Sequence, residues 1–188
     1  MLKRIAVAIL LVAGQQPAAR ADSYTIDPAH TYAYFSVSHQ GFSIMRGHFG
    51  RSSGKVTLDH GAGNGTVDIT IETASVNTGS ASRDEHLRSA DFFNAAVFPA
   101  ITYQSGSMKF KGDVPASVEG NLTMNGVTRP VTLTLSSFKC GIHPWSHREA
   151  CGADAGAQIR RSDFGMTFAL PGVGDDIKLD IEVEAYKD

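Results

Sequence analysis

Apolar and polar residues alternate through most of this chain. The alternation is cleanest in four runs: Val67-x-Ile69-x-Ile71, Val118-x-Gly120-x-Leu122-x-Met124, Val131-x-Leu133-x-Leu135 and Ile177-x-Leu179-x-Ile181-x-Val183. Successive side chains on a strand point to opposite faces, so a period of two gives each run one apolar and one polar face. Asp68, Thr70 and Glu72 fall on the polar face, as do Thr132, Thr134 and Ser136. The runs therefore predict antiparallel strands that bury one side and wet the other. Ala33, Phe35, Val37 and His39 carry the same pattern nearer the start of the chain, up to Gln40-Gly41.

Asn125-Gly126 separates two of these runs, and both residues tolerate the positive φ angles of a type I′ turn, so a hairpin is predicted there. Gly61-Ala62-Gly63-Asn64-Gly65 marks another turn and Gly172 to Asp176 a further one, with Asp175-Asp176 as a solvated loop tip. The count comes to about eight strands paired mostly with their sequence neighbours, an all-β barrel or a two-sheet sandwich that periodicity alone does not separate. A barrel of about eight strands is either filled by its own side chains or just wide enough for one slender ligand. Its inward faces would mix large residues, Phe35, Phe49, Tyr103 and Phe168, with small ones, Ala33, Gly47 and Gly120, which leaves room for a channel.

The stretch Arg83 to Phe93, Arg-Asp-Glu-His-Leu-Arg-Ser-Ala-Asp-Phe-Phe, interrupts the alternation. It gathers charges, a histidine and two aromatics too densely for simple core packing. Ser82 followed three residues later by Glu85 has the form of a capping box, in which each side chain satisfies a backbone N–H, so a short helical insert is expected to open there.

Composition adds a destination and excludes one class of partner. Met1 to Ala21 has the layout of a secretory signal: basic Lys3 and Arg4, an apolar core from Ile5 to Ala13, and the small-x-small site Ala19-Arg20-Ala21. An apolar core of about nine residues is far short of the roughly 20 needed to span a bilayer, so cleavage near Asp22 is expected. The chain thus divides into a signal at 1–21 and one domain at 22–188, large enough to bury roughly 70% of its unfolded surface around one core. In that domain fourteen Lys and Arg face nineteen Asp and Glu, a net charge of −5 that argues against nucleic acid.

Cys140 and Cys151 enclose His143 and His147 in a Cys-x2-His-x3-His-x3-Cys array. In an oxidising compartment two cysteines bracketing a hairpin loop form a disulfide, which in the loop-entropy picture stabilises by about 3 kcal/mol. Two thiolates and two imidazoles also suit tetrahedral zinc, although Pro144 and the short span make that geometry awkward. The other histidines, at 30, 39, 48, 60 and 86, converge on a metal only if neighbouring strands bring His30, His39 and His48 to one face. No nucleophile elbow, phosphate-binding glycine loop or His-Glu-x-x-His helix is present.

Several segments taken in order, Ser23 to His30, Arg46-Gly47, Arg83 to Phe93, Phe98-Pro99, Gly120 to Pro130 and Arg160 to Gly165, resemble the YceI-like family of periplasmic lipid-binding proteins over nearly the whole of 22–188. The cysteine pair departs from what that family leads one to expect. The resemblance implies a lipocalin-like antiparallel barrel in the periplasm that binds or carries a long isoprenoid lipid, such as a polyprenyl phosphate or a quinone, with no bound cofactor and no reaction. It is compatible with transient contact with a membrane or membrane protein, and with a homodimer. Each buried CH₂ contributes about 0.8 kcal/mol, so the tail would supply affinity and a few polar groups would select the head.

The candidate tail contacts are Phe35, Val37, Phe49, Val67, Ile69, Ile71, Ile101, Tyr103, Leu122, Met124, Leu133, Leu135, Phe164, Met166 and Phe168, with Leu87, Phe92, Phe93 and Phe98 plugging the barrel end. The candidate head-group contacts are Arg83, Asp84, His86, Arg88 and Asp91 on the insert, with Arg161, Ser162 and Asp163 on a late bend. The planar fork of arginine can grip a phosphate or carboxylate. The same side chains also admit an architectural reading: Asp84 as a cap, Arg88 paired with Asp84 or Asp91, and Asp163 holding Arg83 across the mouth. Two other functions stay open, a metal-binding or stress-response protein using the histidines, and an enzyme acting on a lipid head group with His86 and Asp84 as acid and base.

Overall fold

The computed structural model describes residues 21–188; the secretory signal expected at 1–21 lies, but for Ala21, outside the described residues. Eleven β segments follow one another: β1 (Asp22–Ile26), β2 (Tyr32–His39), β3 (Ser43–Phe49), β4 (Ser52–Asp59), β5 (Asn64–Glu72), β6 (Val76–Asn77), β7 (Ala100–Lys111), β8 (Val114–Met124), β9 (Val127–Ile142), β10 (Glu149–Arg160) and β11 (Val173–Lys187). One helix, α1 (Ala81–Arg88), lies between β6 and β7.

These segments make an eight-stranded closed antiparallel barrel, because β1 and β2 are two halves of one strand, β3 and β4 two halves of the next, and β5 and β6, which pair with β4 and β3, two parts of the third. Pro28 breaks the first strand: it has no N–H to give the ladder, and Asp27 holds the resulting turn by accepting from the Ala29 N–H at 2.9 Å. The second strand breaks at Gly50-Arg51, whose N–H groups turn aside to the carbonyl and the hydroxyl of Ser75. The barrel closes where β1 meets β11, with Tyr24 opposite Lys187 and Ile26 opposite Ala185. Closure removes the free edges that an open sheet of this size would expose.

The strands follow the alternation of the sequence. Ile69 pairs with Tyr103, Tyr103 with Leu122, and Val118 with Leu133, so the apolar sets of adjacent strands share the inner face. Asn125 and Gly126, with φ of 52° and 74°, make the hairpin turn between β8 and β9. Gly120 has a separate use: a Cβ there would stand 2.6 Å from Tyr103 Cζ, so only glycine leaves space for that ring to lie across β8.

Three sequence expectations change. The helix opens at Ser80, two residues before the expected capping box, so Ser82 is inside the first turn and makes no cap with Glu85. The chain is turned into α1 by Gly79 at φ +76° and by buried Asp84, whose carboxylate accepts from the Thr78 N–H (2.8 Å) and hydroxyl (2.6 Å). Asp175 is not a solvated loop tip. It belongs to β11 and accepts from the N–H and hydroxyl of Ser162 and from Arg160, and the Ser162 N–H above all holds its carboxyl below the usual carboxylate range. Phe168 is 46% exposed on the 165–172 loop, outside the barrel's inner face, because that loop doubles back after Gly165 at φ +78°.

Candidate functional site

A cavity of about 190 Å³ runs within the barrel from Phe49, Ile71, Ile101 and Met124 near the α1 end towards Tyr24, Leu58 and Met108 at the other. Its wall is apolar because the inward side of most strands is apolar, and the hydroxyls of Tyr103, Thr31 and Tyr24 that reach it are hydrogen-bonded. Tyr103 Oη donates towards the carbonyls of Val118 and Val131, each at 2.9 Å, and burial pushes its phenol up to about 12. Thr31 Oγ1 donates to the Glu184 carbonyl, and Tyr24 Oη donates to Glu149.

Side-chain volume decides where the space lies. Large residues of β5, β7 and β8 occupy one side of the lumen, whereas β10 offers Ala153 and Ala155 to the cavity opposite Val183 and Ile181 of β11. A β-bulge between Asp154 and Ala155 changes the register of β10 against β9 at the same level. Small inward residues on one strand, faced by β-branched and larger ones elsewhere, leave a lumen that the chain's own side chains do not fill.

Of the expected tail contacts, Phe49, Val67, Ile69, Ile71, Ile101, Tyr103, Leu122, Met124, Leu133 and Leu135 stand on the cavity wall. Phe35 and Val37 do not. Phe35 packs below Gly47 and against Phe49, with ring centroids 5.8 Å apart, and Val37 lies opposite Met45 on the β2–β3 hairpin. Leu87, Phe92, Phe93, Phe98, Phe164 and Met166 stand outside the cavity wall, at its α1 end. There Phe93 meets Phe49 edge-to-face at 5.3 Å, Phe164 and Met166 are buried, and Phe98 lies against Gly126. Tyr24, Leu58, Met108, Phe138, Ile159 and, on β10, Ala153 and Ala155 also line the cavity, and the sequence reasoning misses them. The period-two Ala153-x-Ala155-x-Ala157 is the signal that could reveal β10, but alanine carries little hydrophobic contrast against the Gly, Asp and Gln beside it.

The charged candidates are brought to one end of the barrel, and most are occupied in holding it together. Arg161 is only 4% exposed; its Nε, Nη1 and Nη2 donate to the carbonyls of Gly174, Met166 and Val173 at 2.8 to 2.9 Å, and burial lowers its pKa. Its fork therefore grips backbone instead of presenting itself to a ligand. Arg83 donates to the hydroxyl and carbonyl of Thr78, not to Asp163, so no ion pair crosses the mouth there. The Asp163 carbonyl accepts from Arg129 Nε, and Ser162 is bound to Asp175.

His86 Nε2 lies 2.9 Å from Asp91 Oδ2, and its ring stands edge-on to Phe92 and Phe168. That contact corrects two expectations. Asp84, buried on Thr78, is not the partner of His86, and neither Asp84 nor Asp91 is bridged to Arg88. The acid–base pair expected of a head-group enzyme is thus not assembled.

Cys140 and Cys151 face each other across the β9–β10 ladder, with Cα atoms 4.0 Å apart, and are joined in a disulfide. Their sulfurs are bonded to each other and offer no thiolate pair. His30 is bound to Asp27, and His48 sits between Tyr32 and Tyr34, away from His39 at the end of β2. Among the described residues no group of three or more His, Cys, Asp or Glu is placed to hold a metal ion.

A closed eight-stranded barrel with a short helix over one end and an apolar lumen is a lipocalin-like fold. The family model of the YceI-like domain matches residues 24–185, and the chain belongs to that family. Protein YceI of Salmonella arizonae is 39% identical over 170 residues, covering 89% of this chain and 88% of the relative. A Campylobacter jejuni YceI protein of known structure is 30% identical, covers 80% of this chain and 90% of its own, and superposes with a TM-score of 0.66. A polyisoprenoid-binding domain from Saccharophagus degradans has the same fold at 17% identity and a TM-score of 0.64, with 88% of this chain and 98% of that domain covered.

Proposed function

We infer that this protein binds the apolar chain of an isoprenoid lipid within the barrel, carries it through the periplasm, and catalyses no reaction on it. The observation that carries this reading is the lumen itself, apolar along its length, with Tyr103 and Thr31 already hydrogen-bonded to the backbone. A cavity of about 190 Å³ is slender beside the roughly 300–1,000 Å³ of sites for drug-sized molecules, so it suits a single flexible chain better than a fused ring system. The polyisoprenoid-binding neighbour in Saccharophagus degradans supports the chemistry of the ligand. The head group, a phosphate or a quinone ring, would lie at a barrel mouth, where His86, Arg88, Asp91 and Asp163 of the α1 end are at least partly exposed, as are Arg83 and Ser162, which are bonded to Thr78 and Asp175.

The test is native mass spectrometry of protein purified without detergent, followed by solvent extraction, on the wild type and on Ala155→Phe and Ile69→Arg. The wild type is expected to release an isoprenoid. Ala155→Phe fills the lumen with an apolar ring and is expected to keep its melting temperature while losing the lipid. Ile69→Arg puts a charge on the wall and is expected to lose the lipid and some stability as well. A wild type that is empty and refuses added prenyl lipids, or an Ala155→Phe variant that loads normally, overturns the reading.

A further inference from the structure

The β9–β10 hairpin at the end opposite α1 is an overhanging arm. Pairing between β8 and β9 ends at Ser117 opposite Thr134, while β9 runs on to Ile142 paired with β10 alone. The disulfide between Cys140 and Cys151 clamps this half-supported stretch. At its tip the backbone is tied down: the His143 N–H donates to the Arg148 carbonyl at 2.8 Å, and the His147 N–H to the His143 carbonyl at 2.9 Å. The Ser146 N–H reaches His143 Nδ1, and the Arg148 guanidinium lies 4.6 Å over the Tyr186 ring.

This braced tip turns its largest apolar side chains to water. Trp145 is 87% exposed and Ile142 67%. An indole held out of the core contributes nothing to folding, but it suits the boundary between water and hydrocarbon, where a ring with one apolar body and one N–H donor is most favourable. Along the arm's own sequence the charge has one sign, while the carboxylates of Glu182 and Glu184 on β11 share a groove with Lys139 and Ile142 on its flank. From Lys139 to Arg148 the chain carries two fixed cations and two histidines with no carboxylate, and the next acid, Glu149, is paired with Lys187. Phe42 is also strongly exposed, at 90%, but it lies at the α1 end, which carries the carboxylates of Glu85, Asp91 and Asp163.

We propose that the β9–β10 arm anchors the protein on an anionic lipid surface, with Trp145 and Ile142 entering the interface while Lys139 and Arg148 meet lipid phosphates. The arm is short and its apolar contact small, so the attachment is reversible and weakens as salt screens the phosphates. The proposal does not rest on the barrel's ligand, since a filled barrel would dock in the same way.

Trp145 is the single tryptophan of the chain, so its fluorescence reports this site alone. Emission is expected to shift to the blue, and to be quenched by brominated lipid chains, with vesicles of phosphatidylcholine containing phosphatidylglycerol. Phosphatidylcholine alone is expected to give little change. Trp145→Ser, Ile142→Ser and Lys139→Glu are each expected to lower co-sedimentation with the anionic vesicles, the first two by about tenfold, at unchanged melting temperature. The proposal is overturned by an unshifted spectrum with anionic vesicles, or by Trp145→Ser sedimenting like the wild type. It is equally overturned if Phe42→Ser abolishes sedimentation in place of Trp145→Ser, or if the blue shift grows with protein concentration without lipid, which would make a second copy the partner.

Discussion

Along the barrel wall from β5 to β9, strands of ordinary alternating composition enclose an apolar lumen with few polar atoms in it. At the α1 end, by contrast, charged residues are drawn inward and bonded to the backbone, Arg161 to three carbonyls and Asp84 to Thr78. The wall creates space and the cap closes it. The difference teaches that a dense cluster of charges in a β protein need not mark where a ligand binds. Irregular chain over a barrel end has many backbone groups with no ladder partner, and side chains that reach them are the most direct way to satisfy them.

The sharpest way to break this comparison is Arg161→Met, which keeps much of the length of the side chain but takes its donors from the buried Met166 carbonyl and the part-buried carbonyls of Val173 and Gly174. We expect a loss of about 3–5 kcal/mol, read as a lower urea midpoint, and a near-neutral result would mean that the cap does not depend on this side chain. Reducing the disulfide tests the arm at the opposite end: a loss of about 3 kcal/mol is expected in the melting of the reduced protein or of Cys140→Ala with Cys151→Ala, with two titratable thiols appearing in the former. Asp84→Asn keeps the shape and one acceptor but removes the charge from the Thr78 bonds, and about 1–2 kcal/mol is expected, whereas Ser82→Ala should be nearly silent because Ser82 is not the cap.

The smallest effect expected is the pH dependence of the cap. The Asp175 carboxyl is held below its ordinary pKa by the Ser162 N–H and Arg160, so its contribution is present above the unfolded value of about 4 and is lost as pH falls through the lower folded value. Asp175→Asn should therefore flatten the acid limb of the stability curve relative to the wild type. An unchanged acid limb would place the titration elsewhere.

Much of the wall is legible in the order of residues alone. Val67 to Ile71, Val118 to Met124 and Ile177 to Val183 each alternate strongly enough to declare a buried face, and Asn125-Gly126 has the φ tolerance that its turn requires. β10 is harder to read, because Ala153, Ala155 and Ala157 carry too little hydrophobic contrast to stand out, although the small volume of the first two is what opens the lumen. The cap misleads for the opposite reason. Arg161 and Asp84 look like surface charges in a string of letters, and only the neighbouring carbonyls and hydroxyl that chain folding brings to them explain their burial.

What the sequence by itself determined is local: the two-faced strands, the hairpin turn, and a pair of cysteines spaced to bracket a hairpin. These follow from properties that each residue carries with it, side-chain polarity, φ preference and thiol chemistry. What only the tertiary structure decided is where the space lies and which charges face water. Both depend on residues far apart in the chain, Ala155 on Ile181 and Arg161 on Gly174, because cavity volume and desolvation belong to a packed neighbourhood and not to any one side chain.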